Sequence, residues 1–431
     1  MKVAFYTLGC KVNQNETGAL LRLFEQEGYT AAAEDEDADV YVVNSCTVTA
    51  GGDKKSRQWL RRAKRRHPQA VTVLTGCYPQ AFPDEAAAVA EADVVMGSAG
   101  RAHVLENVRR FQMSGRRVVD IEPHVRGERF EELPMERIAG RTRAFLKIED
   151  GCCRQCAYCV IPRARGLVRS RSEESVLAEL ASLARGGFRE VVLTGINLSS
   201  YGIDTGTDLA AIVEKAAQVP GIGRLRLGSL EPDLLDEACV ARLAAVPALC
   251  PQFHLSLQSG CTATLRRMRR VYTAAQYAAV VDSIRRAVPG ATFTTDVIVG
   301  FPGETQAEFA ESCDFIRRIG FLKVHVFSYS RRAGTPAYDM PAQVPEPEKA
   351  ARSRALQALA DEMRAGIIAG MRGARAEALL ETPVSKGLFT GYTREYVPVL
   401  VRAPGAATDD IVPVVLGDFD GERCAAEPYF A

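Results

Sequence analysis

The sequence predicts an α/β protein in three parts: an N-terminal open doubly wound α/β domain, a central partial (β/α)6 barrel, and a C-terminal small antiparallel β-barrel. Two observations lead to this prediction. Short runs of β-branched residues alternate with amphipathic helical stretches over most of the chain, which is typical of parallel βαβ units. The 431 residues also correspond to about three domains of roughly 150 residues each.

Composition narrows the class of protein. Hydrophobic residues make up 47% and charged residues 25% of the chain, which excludes disordered, collagenous and fibrous proteins. No apolar run reaches the roughly 18 residues that span a bilayer, and the start lacks the features of a signal peptide. The sequence therefore predicts a cytoplasmic protein without membrane contact. In that reducing compartment, twelve cysteines indicate ligation or catalysis rather than disulfides.

The first predicted domain, residues 1–111, has cysteines at its strand ends. Its strand candidates are KVAFYTLGC, DVYVVNSC, VTVLTGC and DVVMGS, and Cys10, Cys46 and Cys77 end the first three. Parallel strands end at the same edge of a sheet, so we expect these cysteines to converge there. The alternative is three small buried hydrophobic residues, since free cysteines are often internal.

The rest of the chain divides into a linker, a barrel and a terminal segment. Residues 112–140 show weak periodicity and mixed charge, which predicts a linker. Residues 141–372 contain six strand candidates, enough for a partial barrel; Thr273 and Gln276 form a predicted capping box, and Gly187 and Gly320 stand at predicted helix ends. Residues 373–431 change to short strand-like runs separated by turns, which predicts the small β-barrel.

The strongest chemical signal is the spacing C-x3-C-x2-C at Cys152, Cys156 and Cys159. Soft thiolate ligands select zinc, copper(I) or iron-sulfur clusters. A structural zinc site usually has four protein ligands, and Cys153 is the only nearby candidate for a fourth. Three cysteines on a 4Fe-4S cluster leave one iron open to a substrate, which is a catalytic feature.

This motif, followed by a barrel, resembles the radical S-adenosylmethionine (SAM) superfamily, whose members cleave SAM to a 5′-deoxyadenosyl radical. The resemblance implies that Cys152, Cys156 and Cys159 hold a 4Fe-4S cluster with SAM. It also implies SAM contacts before the third cysteine, after the second strand and at the fifth strand, at Tyr158, Thr194, Gly195, Gly300 and Gly303.

The order of the domains resembles the radical SAM methylthiotransferases over essentially the whole chain, with an RNA-binding terminal barrel of the TRAM type. This resemblance implies that Cys10, Cys46 and Cys77 hold an auxiliary 4Fe-4S cluster, which carries the sulfur. The run TLGCKVNQ at residues 7–14 is similar to the branch that acts on N6-threonylcarbamoyladenosine at position 37 of tRNA. The branch acting on isopentenyladenosine tends to read GCQMN at this place.

The resemblance to that branch implies that the protein transfers a methylthio group to C2 of the modified adenosine. The implied partners are the tRNA anticodon stem-loop and an electron donor such as a flavodoxin or ferredoxin. Two alternatives stay open. The same machinery can act on another tRNA adenosine or a ribosomal protein side chain, or the chain is an iron-sulfur RNA-binding or redox-sensing protein without turnover.

Basic clusters predict where RNA binds. Residues 54–66 carry eight Lys and Arg side chains without an acid, and Trp59 lies among them. The alternative for any one such run is a solvated helix face. The terminal segment has five basic against nine acidic side chains, which is unfavourable for an RNA-binding barrel. The predicted phosphate contacts are Arg61, Arg62, Arg65, Arg163 and Arg165.

Overall fold

The computed structural model describes residues 1–133 and 142–429. The first domain is a six-stranded sheet in the order β2-β1-β3-β4-β5-β6, and every neighbouring pair is parallel. Its elements are β1 Lys2–Thr7, α1 Lys11–Gln26, β2 Thr30–Ala32, β3 Val40–Ser45, α2 Ala50–Arg66, β4 Val71–Gly76, α3 Cys77–Ala81, α4 Pro83–Ala87, β5 Val94–Met96, α5 Val104–Ser114 and β6 Val118–Asp120.

Helices cover both faces of this sheet. Leu20 and Phe24 of α1 pack with Val42 on one face, while Trp59 of α2 packs with Val43 on the other. Successive residues of a buried strand point to opposite faces, so the apolar run of β3 supplies both cores. The predicted open, doubly wound domain is confirmed.

The segment predicted as a linker differs from the expectation. Strand β6 lies inside residues 112–140 and pairs with β5, so the first sheet continues past residue 111. Three residues are too few to show a hydrophobic period, so the sequence pattern does not predict a strand there. The end of this segment, residues 134–140, lies outside the described residues.

The central domain contains two sheets, β11-β10-β7 and β12-β13-β14-β15, whose strands are all parallel. Only Gly228 separates β11 from β12, so the two sheets run on as a six-stranded partial barrel, as predicted. The elements are β7 Arg143–Lys147, β8 Glu149–Asp150, α6 Ile161–Arg165, β9 Arg169–Ser170, α7 Glu173–Arg185, β10 Glu190–Thr194, α8 Leu209–Ala216, β11 Arg224–Leu227, β12 Ser229–Leu230, α9 Glu237–Ala244, β13 Gln252–Leu255, α10 Thr262–Arg267, α11 Ala274–Ala287, β14 Thr292–Val299, α12 Gln306–Ile319, β15 Lys323–Ser328 and α13 Glu346–Gly370.

Local helix signals in this domain are confirmed. Thr273 and Gln276 form the predicted capping box of α11. Gly320 ends α12 in the left-handed conformation, with φ of 72°. Four short 3-10 turns complete the described helices, at Arg101–His103, Leu198–Ser200, Pro232–Leu234 and Pro336–Tyr338. No helix of the described residues is long and apolar enough to span a membrane.

The terminal domain is a closed five-stranded barrel in the order β16-β17-β18-β20-β19. All its pairs are antiparallel except β18 with β20, which are parallel. The strands are β16 Arg375–Ser385, β17 Leu388–Thr393, β18 Pro398–Arg402, β19 Ile411–Phe419 and β20 Cys424–Pro428.

The terminal barrel packs against the amino ends of the central strands. Arg143, which begins β7, pairs with Glu381 at 2.6 Å, and Arg224, which begins β11, donates to the Glu377 carbonyl at 2.9 Å. Two acidic residues of the terminal barrel therefore face arginines of the central domain. Some of the acidic side chains of the terminal barrel therefore hold it against the central domain. This role explains part of the excess of acidic over basic residues in the barrel, which RNA binding alone does not explain.

Candidate active site

The first three cysteines lie together at the carboxyl edge of the first sheet. Cys10 follows β1 and caps α1, Cys46 follows β3, and Cys77 begins α3 directly after β4. Gly9 has a φ of +113°, and a Cβ at this position would lie 2.8 Å from Cys46 Cβ. Only glycine allows the loops after β1 and β3 to approach this closely.

Buried polar groups hold these loops in place. Asn13 Nδ2 donates to the carbonyl of Leu8 at 2.8 Å and to that of Ser45 at 3.0 Å, which ties the two loops together. Arg165 of α6 donates from Nε to Cys77 Sγ at 3.1 Å and from Nη2 to Asn13 Oδ1 at 2.8 Å. Burial raises the pKa of Cys77, and the Arg165 guanidinium opposes that shift.

The second three cysteines lie in the loop after β8. The Cys159 N–H donates to the Cys156 carbonyl at 3.0 Å, which closes a tight turn. Arg270 Nη1 donates to Cys156 Sγ at 3.2 Å, so in each trio one sulfur accepts a hydrogen bond from an arginine guanidinium. Cys153 is exposed, whereas Cys152 is half-buried beside its two partners.

The donor chemistry of the two trios fits iron-sulfur clusters better than single metal ions. In neither trio, both fully described, do the three sulfurs all lie within 4.8 Å of one another. Thiolates on one zinc ion would lie about 3.8 Å apart. Burial, with the neighbouring thiols, raises the pKa of Cys46, Cys152 and Cys159 to about 12. A cluster that takes the place of the thiol protons removes that cost.

Both trios contribute to one cavity of about 580 Å³ between the first domain and the barrel. Cys10 and Cys46 line it from the first domain, and Tyr158 and Cys159 line it from the central domain. The carboxyl ends of the first sheet therefore face the mouth of the barrel. This is the arrangement that an enzyme with two clusters acting on one base requires.

A cluster of buried charges holds the two domains in this orientation. Glu16 of α1 accepts from Arg101 Nη2 at 2.6 Å, from Lys147 Nζ at 2.8 Å and from Arg165 Nη2 at 3.0 Å. Burial alone would raise the pKa of Glu16, but these cations outweigh it and lower that pKa to about 2. Asp150 shares the same cations.

The residues expected to contact SAM divide into two groups. Tyr158, Thr194 and Gly195 line the cavity. Gly300 and Gly303 do not: a Cβ on Gly300 would lie 2.2 Å from Lys349 Cγ, and the Gly303 N–H donates to the Ala342 carbonyl at 2.9 Å. These two glycines shape the turn after β14 and do not line the cavity, and their direct contact with SAM stays a prediction. Ile298, on the same strand, lines the cavity instead.

Glu149, which lies under Gly195, belongs to no motif that the sequence analysis singled out. Its Oε2 accepts from the Asn197 N–H at 2.8 Å, and its Oε1 has no hydrogen-bond partner among the described residues. Burial, with Asp150 next to it, raises the pKa of Glu149 to about 8. A buried carboxyl oxygen without a partner beside Thr194 and Gly195 suits the cationic amino group of SAM.

A polar wall, which the sequence also did not indicate, lies across the cavity. It consists of Lys11 and the side chains of three adjacent barrel strands, His254, Asp296 and His325. Although burial opposes it, the hydrogen bond from His254 lowers the pKa of Asp296 and keeps its carboxylate ionised. No sequence motif links residues so far apart in the chain, because their meeting depends on the register of β13, β14 and β15.

The arginines predicted to contact RNA differ in their exposure to solvent. Arg61, Arg62 and Arg65 on α2 and Arg163 on α6 are exposed, as a phosphate contact requires. Arg165 has 0% exposed surface and cannot reach RNA, so that prediction is wrong. Trp59 is also buried, stacked on Tyr6 with ring centroids 4.9 Å apart, and belongs to the core.

Comparison with known proteins identifies the family of this chain. Residues 2–97 match the model of the uncharacterized protein family UPF0004, and residues 146–316 match that of the radical SAM superfamily. The threonylcarbamoyladenosine tRNA methylthiotransferase MtaB of Bacillus subtilis is 38% identical over 416 residues, 95% of this chain and 91% of that protein. Its counterpart in Aquifex aeolicus is 39% identical over 88% of this chain and 93% of its own length. The chain belongs to the radical SAM methylthiotransferases.

This methylthiotransferase is also similar to a second branch of the family in sequence and to a solved radical SAM structure in fold. The tRNA-2-methylthio-N(6)-dimethylallyladenosine synthase of Pelotomaculum thermopropionicum is 34% identical over 96% of this chain and 95% of its own. Among solved structures, the radical SAM methyltransferase TsrM of Kitasatospora setae has a TM-score of 0.54 at 16% identity, covering 90% of this chain and 77% of its own. That likeness concerns the fold.

Proposed function

We propose that this radical SAM methylthiotransferase transfers a methylthio group to C2 of N6-threonylcarbamoyladenosine at position 37 of tRNA, using two 4Fe-4S clusters and SAM. The observation that carries the proposal is the single cavity to which both cysteine trios contribute. The similarity to threonylcarbamoyladenosine tRNA methylthiotransferases over about nine-tenths of the chain supports the choice of substrate.

The chemistry requires more than side chains can supply. Aromatic C2 of adenine is neither acidic nor electrophilic enough for general acid-base catalysis. When bound, the clusters and SAM supply the one-electron chemistry and the sulfur that this carbon requires. Cys152, Cys156 and Cys159 would hold the cluster that works with SAM, and the first trio would hold the auxiliary cluster.

The side chains of the protein position SAM and the target base in the cavity. Tyr158, Thr194 and Gly195 present SAM from the barrel side, facing Cys10 and Cys46 across the cavity. Val12, Val160 and Ile298 give this space apolar walls that favour a stacked base over water. The base has to leave the anticodon loop to enter, as in other enzymes that act on nucleobases.

The partners follow from this substrate. We propose that the anticodon stem-loop of tRNA binds across the first domain, with Arg61, Arg62, Arg65 and Arg163 contacting phosphates. The electron donor is proposed to be a flavodoxin or ferredoxin, and the site of action the cytoplasm, where tRNA is modified. We also propose a division into residues 1–120, 141–372 and 373–431, which assigns β6 to the first domain.

The function is tested by anaerobic reaction of the reconstituted holoprotein with SAM, a reductant and tRNA that carries threonylcarbamoyladenosine. Mass spectrometry of the nucleosides is expected to find the 2-methylthio product. The triple variant Cys10→Ala, Cys46→Ala, Cys77→Ala is expected to cleave SAM without forming that product. The triple variant Cys152→Ala, Cys156→Ala, Cys159→Ala is expected to do neither.

Cys239→Ala, on α9 away from both trios, is the matched control and should retain both activities. Methylthiolation of dimethylallyladenosine alone would refute the proposed substrate. Full product formation by the first triple variant would refute the role of the auxiliary trio.

A further inference from the structure

Lys11 is a cation on the cavity wall that forms no ion pair with any carboxylate of the described residues. It follows Cys10 at the start of α1 and lines the cavity. Besides burial, Tyr396 and Asp296 favour the charged form of Lys11, and Arg143 and Arg226 oppose it. No described carboxylate forms an ion pair with Lys11, whereas both arginines have one.

The two arginines are neutralised by acids outside the cavity. Arg143 Nε lies 2.6 Å from Glu381 Oε1, and Arg226 Nε lies 2.9 Å from Glu190 Oε1. Because these partners already balance the arginines, Lys11 is the cation of the cavity wall that lacks an ion pair among the described residues. Asp296 attracts the Lys11 ammonium without forming an ion pair with it. Burying an unpaired ammonium is costly, so the site favours a ligand that brings an anion.

Hydrogen-bonding groups surround the same space. The ligand atoms of His254, Asp296 and His325 all lie within 4.8 Å of one another, and Asp296 is directly opposite His325 in the β14–β15 register. His254 Nδ1 lies 2.9 Å from Thr294 Oγ1, and its Nε2 lies 3.4 Å from Asp296 Oδ2. The wall therefore combines one cation with an ionised acceptor and two imidazoles.

We propose that Lys11 binds the carboxylate of the threonylcarbamoyl group, and that His254, Asp296 and His325 bind its hydroxyl and ureido groups. The inference rests on the proposed function and names the residues that select its substrate. The threonylcarbamoyl group carries one carboxylate, one hydroxyl and ureido N–H donors, which match this set. A dimethylallyl group carries none of them and would cover the half-buried Lys11 without pairing with it, so the same residue rejects it.

A divalent cation is the competing occupant of His254, Asp296 and His325, since two imidazoles and a carboxylate are suitable metal ligands. The positive charge of Lys11 argues against it. Lys11 acts electrostatically on both Asp296 and His325, so its field repels a cation and attracts an anion.

The test measures binding of anticodon stem-loop RNAs to the anaerobic holoprotein. Three RNAs are compared, which carry threonylcarbamoyladenosine, its carboxyl methyl ester or dimethylallyladenosine at position 37. The wild type should bind the RNA with the free acid about tenfold or more tightly than the RNA with the ester. The ester cannot form the charge-assisted hydrogen bond to the desolvated Lys11 ammonium. Lys11→Gln should reduce that ratio to about one, and Lys11→Arg should retain most of it.

The matched control is Lys2→Gln, the same change at the exposed opposite end of β1, which should keep the wild-type ratio. Because Lys11 follows Cys10, iron and sulfide are measured in every variant, and the ratio between acid and ester is compared only at equal cluster content. An unchanged ratio in Lys11→Gln would overturn the inference. So would a stoichiometric divalent metal, other than cluster iron, that is lost in His325→Ala.

These results separate the inference from the function on which it rests. If the wild type forms the 2-methylthio product and Lys11→Gln still distinguishes acid from ester, the inference fails and the function stands. If the wild type forms no product on threonylcarbamoyladenosine, the function itself fails.

Discussion

At the scale of single residues, the first trio depends on how closely Gly9 approaches Cys46. A side chain on Gly9 would meet both Cβ and Sγ of Cys46, at 2.8 and 3.1 Å, and its φ of +113° favours glycine independently. Gly28 also has a positive φ, of +79°, but a Cβ there would meet nothing within 4 Å. An alanine substitution at Gly28 therefore measures the effect of positive φ alone, whereas one at Gly9 adds crowding of Cys46.

We predict that Gly9→Ala lowers the iron and sulfide content of the anaerobically reconstituted protein by about half. The added Cβ displaces Cys46, and a ligand out of place by even about 1 Å weakens a preorganised site. Gly28→Ala, which also places a side chain at positive φ, at a cost of about 1 kcal/mol, should keep full content. Equal iron in the two variants would show that the Gly9 approach is unimportant for the cluster.

At the scale of elements, helix α2 has one face exposed to solvent and one face packed on the sheet. Its basic run predicts an exposed surface, and Arg61, Arg62 and Arg65 are exposed. The same run contains Trp59, which is buried because α2 must cover the sheet with one face. The basic residues of α2 thus form a solvent-facing stripe, and the tryptophan is not part of it.

Charge reversal tests this stripe. We predict that Arg61→Glu, Arg62→Glu and Arg65→Glu together weaken tRNA binding and flatten its salt dependence, since each lost phosphate contact lowers the slope of log Kd against log salt by about 0.7 to 0.9. Binding is measured at two or more salt concentrations. The control reverses Arg286, Arg317 and Arg318, which are exposed on the outer helices α11 and α12. Equal losses in the two triple variants would contradict a specific RNA surface on α2.

At the scale of the whole molecule, the buried charges around Glu16 join the first domain to the barrel and so form the cavity. Breaking a buried ion pair costs about 3 kcal/mol or more, because the partner cations stay desolvated. We predict that Glu16→Gln clearly lowers the melting temperature at pH 7. Glu214→Gln, which breaks a half-exposed pair with Arg242, should change it little.

The effect of Glu16→Gln also depends on pH. The folded pKa of Glu16 is lowered to about 2 from its ordinary 4.5, so its carboxylate stabilises the fold fully above pH 4.5, and this stabilisation is lost as the pH falls toward 2. The difference in melting temperature between wild type and variant should therefore be largest near neutral pH and shrink below pH 4.5. Circular dichroism of the metal-free protein follows the unfolding, and a difference that grows toward acid pH would contradict this account.

The sequence by itself determined the features that depend on local spacing. Strand alternation gave the doubly wound sheet, the partial barrel and the terminal barrel, and strand-end positions brought Cys10, Cys46 and Cys77 to one edge, because parallel strands end together. The tertiary structure alone decided what faces the cavity. Lys11, His254 and His325 meet there through barrel register and domain docking, and the same docking buries Arg165 beside Cys77. No local pattern encodes such contacts, since they join segments far apart in the chain; Cys77 and Arg165 alone are separated by 88 residues.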